Sequence, residues 1–159
     1  FPPYTTIIGM IAAALICSFV MPAMAADQQV LTITLDDFSE ADILLDNKTW
    51  NPGAGLGENA NTSGIGFKLT NNGSVQVGVT IKGSISPDWS LGSAPGHNAI
   101  YLAYNISGSN TEITTGNLAF VSNFAHDGEQ IFGMWIDMPT SSSTSDPQTI
   151  TVTFTATAD

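Results

Sequence analysis

Along most of this chain apolar and polar residues alternate one by one, the period of a strand with one face buried. Residues 30–35 put Leu31, Ile33 and Leu35 on one side. Residues 64–70 do the same with Ile65, Phe67 and Leu69, and residues 75–83 with Val75, Val77, Val79 and Ile81. Between these two runs stands Asn71-Asn72-Gly73-Ser74, a turn signal, so the pair predicts a β-hairpin. Residues 98–106 carry Ile100, Leu102 and Tyr104 on one face. Residues 130–138 carry Phe132, Met134, Ile136 and Met138, while Ile131 and Trp135 make the opposite face partly apolar. The last run is the most regular: Ile150, Val152, Phe154 and Ala156 inward, five threonines from Thr149 to Thr157 outward.

No segment after residue 26 shows a helical period. Residues 39–47 suit one helical turn or an edge strand. Residues 51–63, 84–98, 107–116 and 139–148 are rich in Gly, Asn, Ser and Pro and read as loops, the last of them mobile. Seven or eight one-sided strands need a second sheet to cover them. The predicted fold class is therefore all-β, a two-sheet sandwich of immunoglobulin-like or jelly-roll type, in one domain over residues 26–159. Phe67, Leu69, Val77, Val79, Ile81, Leu102, Val152 and Phe154 are the expected core.

An N-terminal hydrophobic segment precedes that domain. Residues 4–26 carry no charge, and residues 7–20 are the densest apolar run. This is the length of a signal-peptide core rather than the ~20 residues of a spanning helix. Pro22 interrupts it, and Ala23-Met24-Ala25 sets small residues where a signal peptidase reads. The expectation is a signal peptide over residues 1–25, cleaved after Ala25, and a secreted or cell-surface protein. The rival readings retain the segment, as the helix of a type IV-like pilin beginning at Phe1 or as a simple anchor. Pro2-Pro3 and the lack of an acid at position 5 fit the pilin poorly. Contact with a membrane is expected only through this segment, if it stays. Cys17 follows a bulky Ile16, which is wrong for a lipobox.

Charge narrows the partners. The chain carries 14 acids against three lysines, with a formal net charge of -11. Nucleic acid is excluded as a partner, since phosphate binding needs clustered Lys and Arg. Residues 26–159 hold no cysteine, so the domain relies on its core or on its neighbours rather than on disulfides. Asn47, Asn61, Asn72 and Asn105 stand in Asn-x-Ser/Thr sequons and are candidate N-glycosylation sites.

Three stretches carry a resemblance. "FKLTNNGSVQVGVTIKG", "DWSLGSAPGHNAIYLAYN" and "TITVTFTATAD" are similar in style to secreted prokaryotic sandwich proteins. The relatives suggested are TasA/camelysin-type biofilm-fibre subunits and archaeal bundling-pilus subunits. The likeness spans about two-thirds of residues 26–159. It implies a non-catalytic surface or extracellular structural protein, a filament or pilus subunit that associates with copies of itself. The extended segment bearing Leu31, Ile33 and Leu35 is then a candidate donor strand, pairing with the open sheet edge of a neighbour.

Candidate chemistry is sparse. His97 and His126 are the only histidines, both in turn-like settings without a ligand partner at close spacing. Asp36, Asp37, Glu40, Asp42 and Asp46 form the densest acidic stretch. Glu40-Ala41-Asp42 matches the opening of a Glu-x-Asp-x-x-Glu glycosidase motif, but Leu45 stands where the second Glu belongs. No catalytic residue, metal ligand or cofactor site is assigned. The alternative function, a carbohydrate-binding or adhesive module taking polysaccharide, rests on Trp50 and Trp89 beside Gly/Pro loops. Trp135, in a strongly apolar run, reads as core.

Overall fold

The computed structural model describes residues 30–36, 42–47, 49–62, 66–85 and 88–159. The predicted signal segment and its cleavage site, together with Asp37 and Glu40, lie outside the described residues. Among the described residues twelve strands follow one another: β1 (Val30–Asp36), β2 (Ile43–Leu45), β3 (Thr49–Trp50), β4 (Asn59–Asn61), β5 (Phe67–Asn71), β6 (Val77–Ile85), β7 (Ser90–Leu91), β8 (Ala99–Ile106), β9 (Ser109–Glu112), β10 (Leu118–Phe124), β11 (Glu129–Asp137) and β12 (Thr149–Ala158). Among the described residues no helix is long and apolar enough to cross a membrane.

The strands form two sheets. One runs β10-β6-β12-β1-β3; the other runs β2-β5-β11-β8-β7, with β4 also on β11 and β9 also on β8. The alternation of the sequence is what makes this possible. Along β6, β11 and β12 every second side chain is buried and its neighbours are not. Two such one-sided sheets hide their apolar faces only against each other. Aromatic rings lock the layers: Phe120 on β10 lies 5.1 Å from both Phe132 on β11 and Phe154 on β12, edge-on in each case. All eight expected core residues are buried.

Four ladders define the topology. β8 pairs with β9, β6 with β10 and β5 with β11, all antiparallel, and β1 pairs with β12. This is a ribbon folded in half at the β8–β9 turn, each later strand returning beside an earlier one. The β1–β12 pair differs from the others in direction. It is parallel, in unbroken register from Val30↔Thr149 to Asp36↔Thr155. On its other side β1 pairs, among the described residues, with β3, through Leu31↔Trp50 and Thr32↔Thr49.

The hairpin predicted across residues 71–74 is not formed. β5 and β6 lie in different sheets, and the Asn-Asn-Gly stretch carries the chain from one to the other. Asn71 holds that corner. Its side chain is fully buried, donating from Nδ2 to the carbonyls of Val75 and Phe124 at 2.8 Å each and accepting the Gly73 N–H at Oδ1, 3.1 Å. Val75, expected inward, is exposed because it lies in the crossover before β6 begins. The stretch at 39–47 contributes an edge strand, β2, paired with β5. Three expected loops contain the short strands β4, β7 and β9. The loop at 139–148, expected to be mobile, is tied to the turn at 96–98. Asn98 donates from Nδ2 to Ser143 Oγ at 2.6 Å and accepts the Ser143 N–H at 2.8 Å, while its own N–H reaches the Ser141 carbonyl.

Candidate functional site

The neighbour on one side of β11 is not continuous. β4 covers its C-terminal half, Trp135↔Asn61 to Asp137↔Asn59, and β5 covers its N-terminal half, Glu129↔Thr70 to Phe132↔Phe67. Between them Thr62 ends the first ladder. Its N–H donates to the Met134 carbonyl at 3.1 Å, and its hydroxyl accepts the Met134 N–H at 3.0 Å. Gly66 begins the second, so close that a Cβ there would stand 2.2 Å from the Phe132 carbonyl oxygen. The gap opposite Gly133 becomes a groove on the outer face of the sheet.

This groove, of about 220 Å³, is lined by Asn61, Thr62, Asn105, Asn110, Gly133, Met134 and Trp135. Gly133 forms its floor, and any side chain there would meet Thr62 Oγ1 at 3.0 Å from Cβ. Trp135 forms one wall. It is half-buried on the outer face, not in the core as expected, because it alternates with the buried Met134 and Ile136. Its indole N–H donates to Asp137 Oδ1 at 2.8 Å, which fixes the ring. Ala103, in register with Trp135 on one side and Glu112 on the other, is fully buried on this outer face. Asn105 and Asn110 form the other wall. Asn105 donates from Nδ2 to Asn110 Oδ1 at 2.6 Å and accepts the Gly108 N–H at 3.0 Å.

The residues singled out from the sequence fall in several places. Trp89 is buried at the end of the sandwich, its indole N–H on Ser142 Oγ at 2.9 Å, so it is not an exposed ligand-stacking ring. Trp50 is half-buried, packs against the core and lines a second hollow with Asp46, Asn47, Thr62, Gly66 and Phe67. Of the sequons, Asn47 and Asn72 are exposed in connections; Asn47 accepts the Thr49 N–H, and Asn72 donates to Asp42 Oδ2. Asn61 and Asn105 lie together in the groove. Leu31, Ile33 and Leu35 lie on β1, where the backbone register is set by β12. His97 and His126 are exposed, and His126 pairs at 3.2 Å with Asp127. Among the described residues no group of three or more His, Cys, Asp or Glu is placed to hold a metal. Lys68 and Glu129 form an ion pair at 2.7 Å, and that hydrogen bond holds the lysine above its ordinary pKa, with the charges of Glu129 and Asp46 adding to the effect.

Trp135 and Asn110 were missed as site residues. The signal was present in the period: positions 131, 133, 135 and 137 all fall on the outer face, with a glycine between the isoleucine and the tryptophan. No protein-family model matches the chain, and no curated protein matches it.

Proposed function

We propose that this chain is a non-catalytic structural protein of the cell surface or extracellular space, whose copies join into filaments by exchanging β1. The reading takes Ala26 as the mature terminus. It also takes the sandwich as a jelly-roll, on the antiparallel folded-ribbon pairing of β5 with β11, β6 with β10 and β8 with β9.

The observation that carries the proposal is the direction of β1. A ribbon folded in half returns its last strand antiparallel to its first, as β5–β11, β6–β10 and β8–β9 do. β1 lies parallel to β12 instead, and among the described residues its far side is paired with β3 through two residue pairs. It fills the slot that the ribbon leaves beside β12 without following the ribbon's path. A strand from a second copy makes the same ladder and covers the same edge. Exchange therefore costs little beyond association itself, and head-to-tail repetition gives an open fibre.

The test is deletion of residues 26–35 with the matching synthetic peptide added back. The expected result is a deleted protein that folds, stays monomeric and takes up the peptide. An intact protein that stays monomeric at every concentration and salt, with β1 amides protected from hydrogen exchange in the monomer, overturns the reading.

A further inference from the structure

We propose that the groove over Gly133 binds a neutral pyranose unit of a polysaccharide, with Trp135 as the stacking platform. This is independent of strand exchange, because the groove lies on the sheet that does not contain β1.

The walls of the groove supply the two things a sugar ring needs. One is a flat aromatic face for the axial C–H groups of the ring, since indole combines a large apolar surface with a fixed orientation. Trp135 is exposed enough to be reached and is pinned by its bond to Asp137, so little side-chain freedom is lost on binding. The other is paired donors and acceptors for ring hydroxyls. Carboxamides offer both from one side chain, and Asn61, Asn105 and Asn110 bring three of them to one groove. The Asn105–Asn110 hydrogen bond holds two of these amides in place before any ligand arrives.

Charge and size select the class of sugar. No lysine lines the groove, and the chain's net charge of -11 repels uronates and sulfated glycans. About 220 Å³ is below the range of ~300–1,000 Å³ for drug-sized sites, a fit for one ring rather than a folded ligand. The groove is open at the surface, which admits a unit from within a chain. The proposal takes the ligand as external rather than as a glycan carried on Asn61 or Asn105.

The experiment titrates the full chain with cellohexaose, laminarihexaose, mannohexaose and chitohexaose, with oligogalacturonate as the anionic control, followed by calorimetry and by the indole N–H resonances in NMR. At least one neutral hexasaccharide is expected to bind in the millimolar range or tighter and to shift the Trp135 indole signal and the amides of Asn105 and Asn110. Trp135→Ala should weaken it at least tenfold, Trp135→Phe should restore part of the loss, and Trp50→Ala should leave it unchanged. Asn110→Ala, at an exposed position on β9, should weaken it severalfold and serves as the readout if Trp135→Ala does not fold. No binding by any neutral oligosaccharide at millimolar concentration, or binding indifferent to Trp135 and Asn110, overturns the proposal. So does a glycan found by peptide mass mapping on Asn61 or Asn105 of native protein, since it would fill the groove from the chain itself.

Discussion

The ring of Phe132 in β11 lies 5.3 Å from the ring of Phe154 in β12, tilted by 54°, and the two strands belong to opposite sheets. Phe120 closes the triangle at 5.1 Å from each. These three side chains couple the layers at the centre of the sandwich, where Phe132 and Phe154 are essentially inaccessible. Phe154→Ala removes one corner and leaves a void that rigid strands on both sides cannot fill. It should cost about 3–5 kcal/mol by denaturant unfolding. An equally stable variant would place the wrong face of β12 inward.

Asn71 is the polar counterpart of that contact. Its amide joins the crossover between the sheets to the end of β10. Asn71→Ala takes this partner from the buried Phe124 carbonyl and the part-buried Val75 carbonyl, while the Gly73 N–H keeps the Asp42 carbonyl at 2.9 Å, so a loss of roughly 1–3 kcal/mol is expected, chiefly from the Phe124 carbonyl. Asn71→Leu, close in volume, should be no better, because the buried Phe124 carbonyl still loses its Asn71 donor. Full stability of the leucine variant would show that packing alone holds the corner.

How much of this was legible in the sequence follows from what sets each feature. Strict alternation fixed the inward faces of β5, β6, β8, β11 and β12, because burial on one side is a property of the strand itself. Partner choice is not. Asn72-Gly73 looks like a hairpin turn, yet the buried amide of Asn71 turns the chain across the sandwich, and only the folded surroundings of Phe124 reveal that. β10 went unassigned because its register shifts twice against β6, between Ala119 and Val121 and between Val121 and Phe124, which spoils the period. Trp135, read as core, lies half-buried on the outer face, because its strand is apolar on both sides and the groove depends on where β4 and β5 part beside Gly133.

The Lys68–Glu129 pair joins neighbouring strands β5 and β11 at the surface. The pKa of Lys68 is raised in the folded state, first by its hydrogen bond to Glu129. Its contribution to stability is therefore fully present below the ordinary lysine pKa of ~10.4 and is lost as pH rises through the folded-state value. An NMR titration of the Lys68 side chain should show the elevated pKa, and Glu129→Gln should return it towards the ordinary range. An unchanged titration in Glu129→Gln would assign the shift to another cause.

The central claim is that β1 of one copy occupies the slot beside β12 of the next, and its most direct measurement is a register-specific crosslink. Thr32 and Thr151 are partners in the β1–β12 ladder. Cysteines at both positions of the chain from Ala26 onward, which holds no other cysteine, report which chain supplies the strand. Oxidation of fibres formed by the double variant should give a covalent ladder of multimers on denaturing gels, while dilute protein gives an internal disulfide and a monomer band. Single-cysteine variants mixed before assembly should yield crosslinked dimers. Fibres that oxidise only to internally linked monomers would contradict strand exchange and leave β1 as a strand of its own domain.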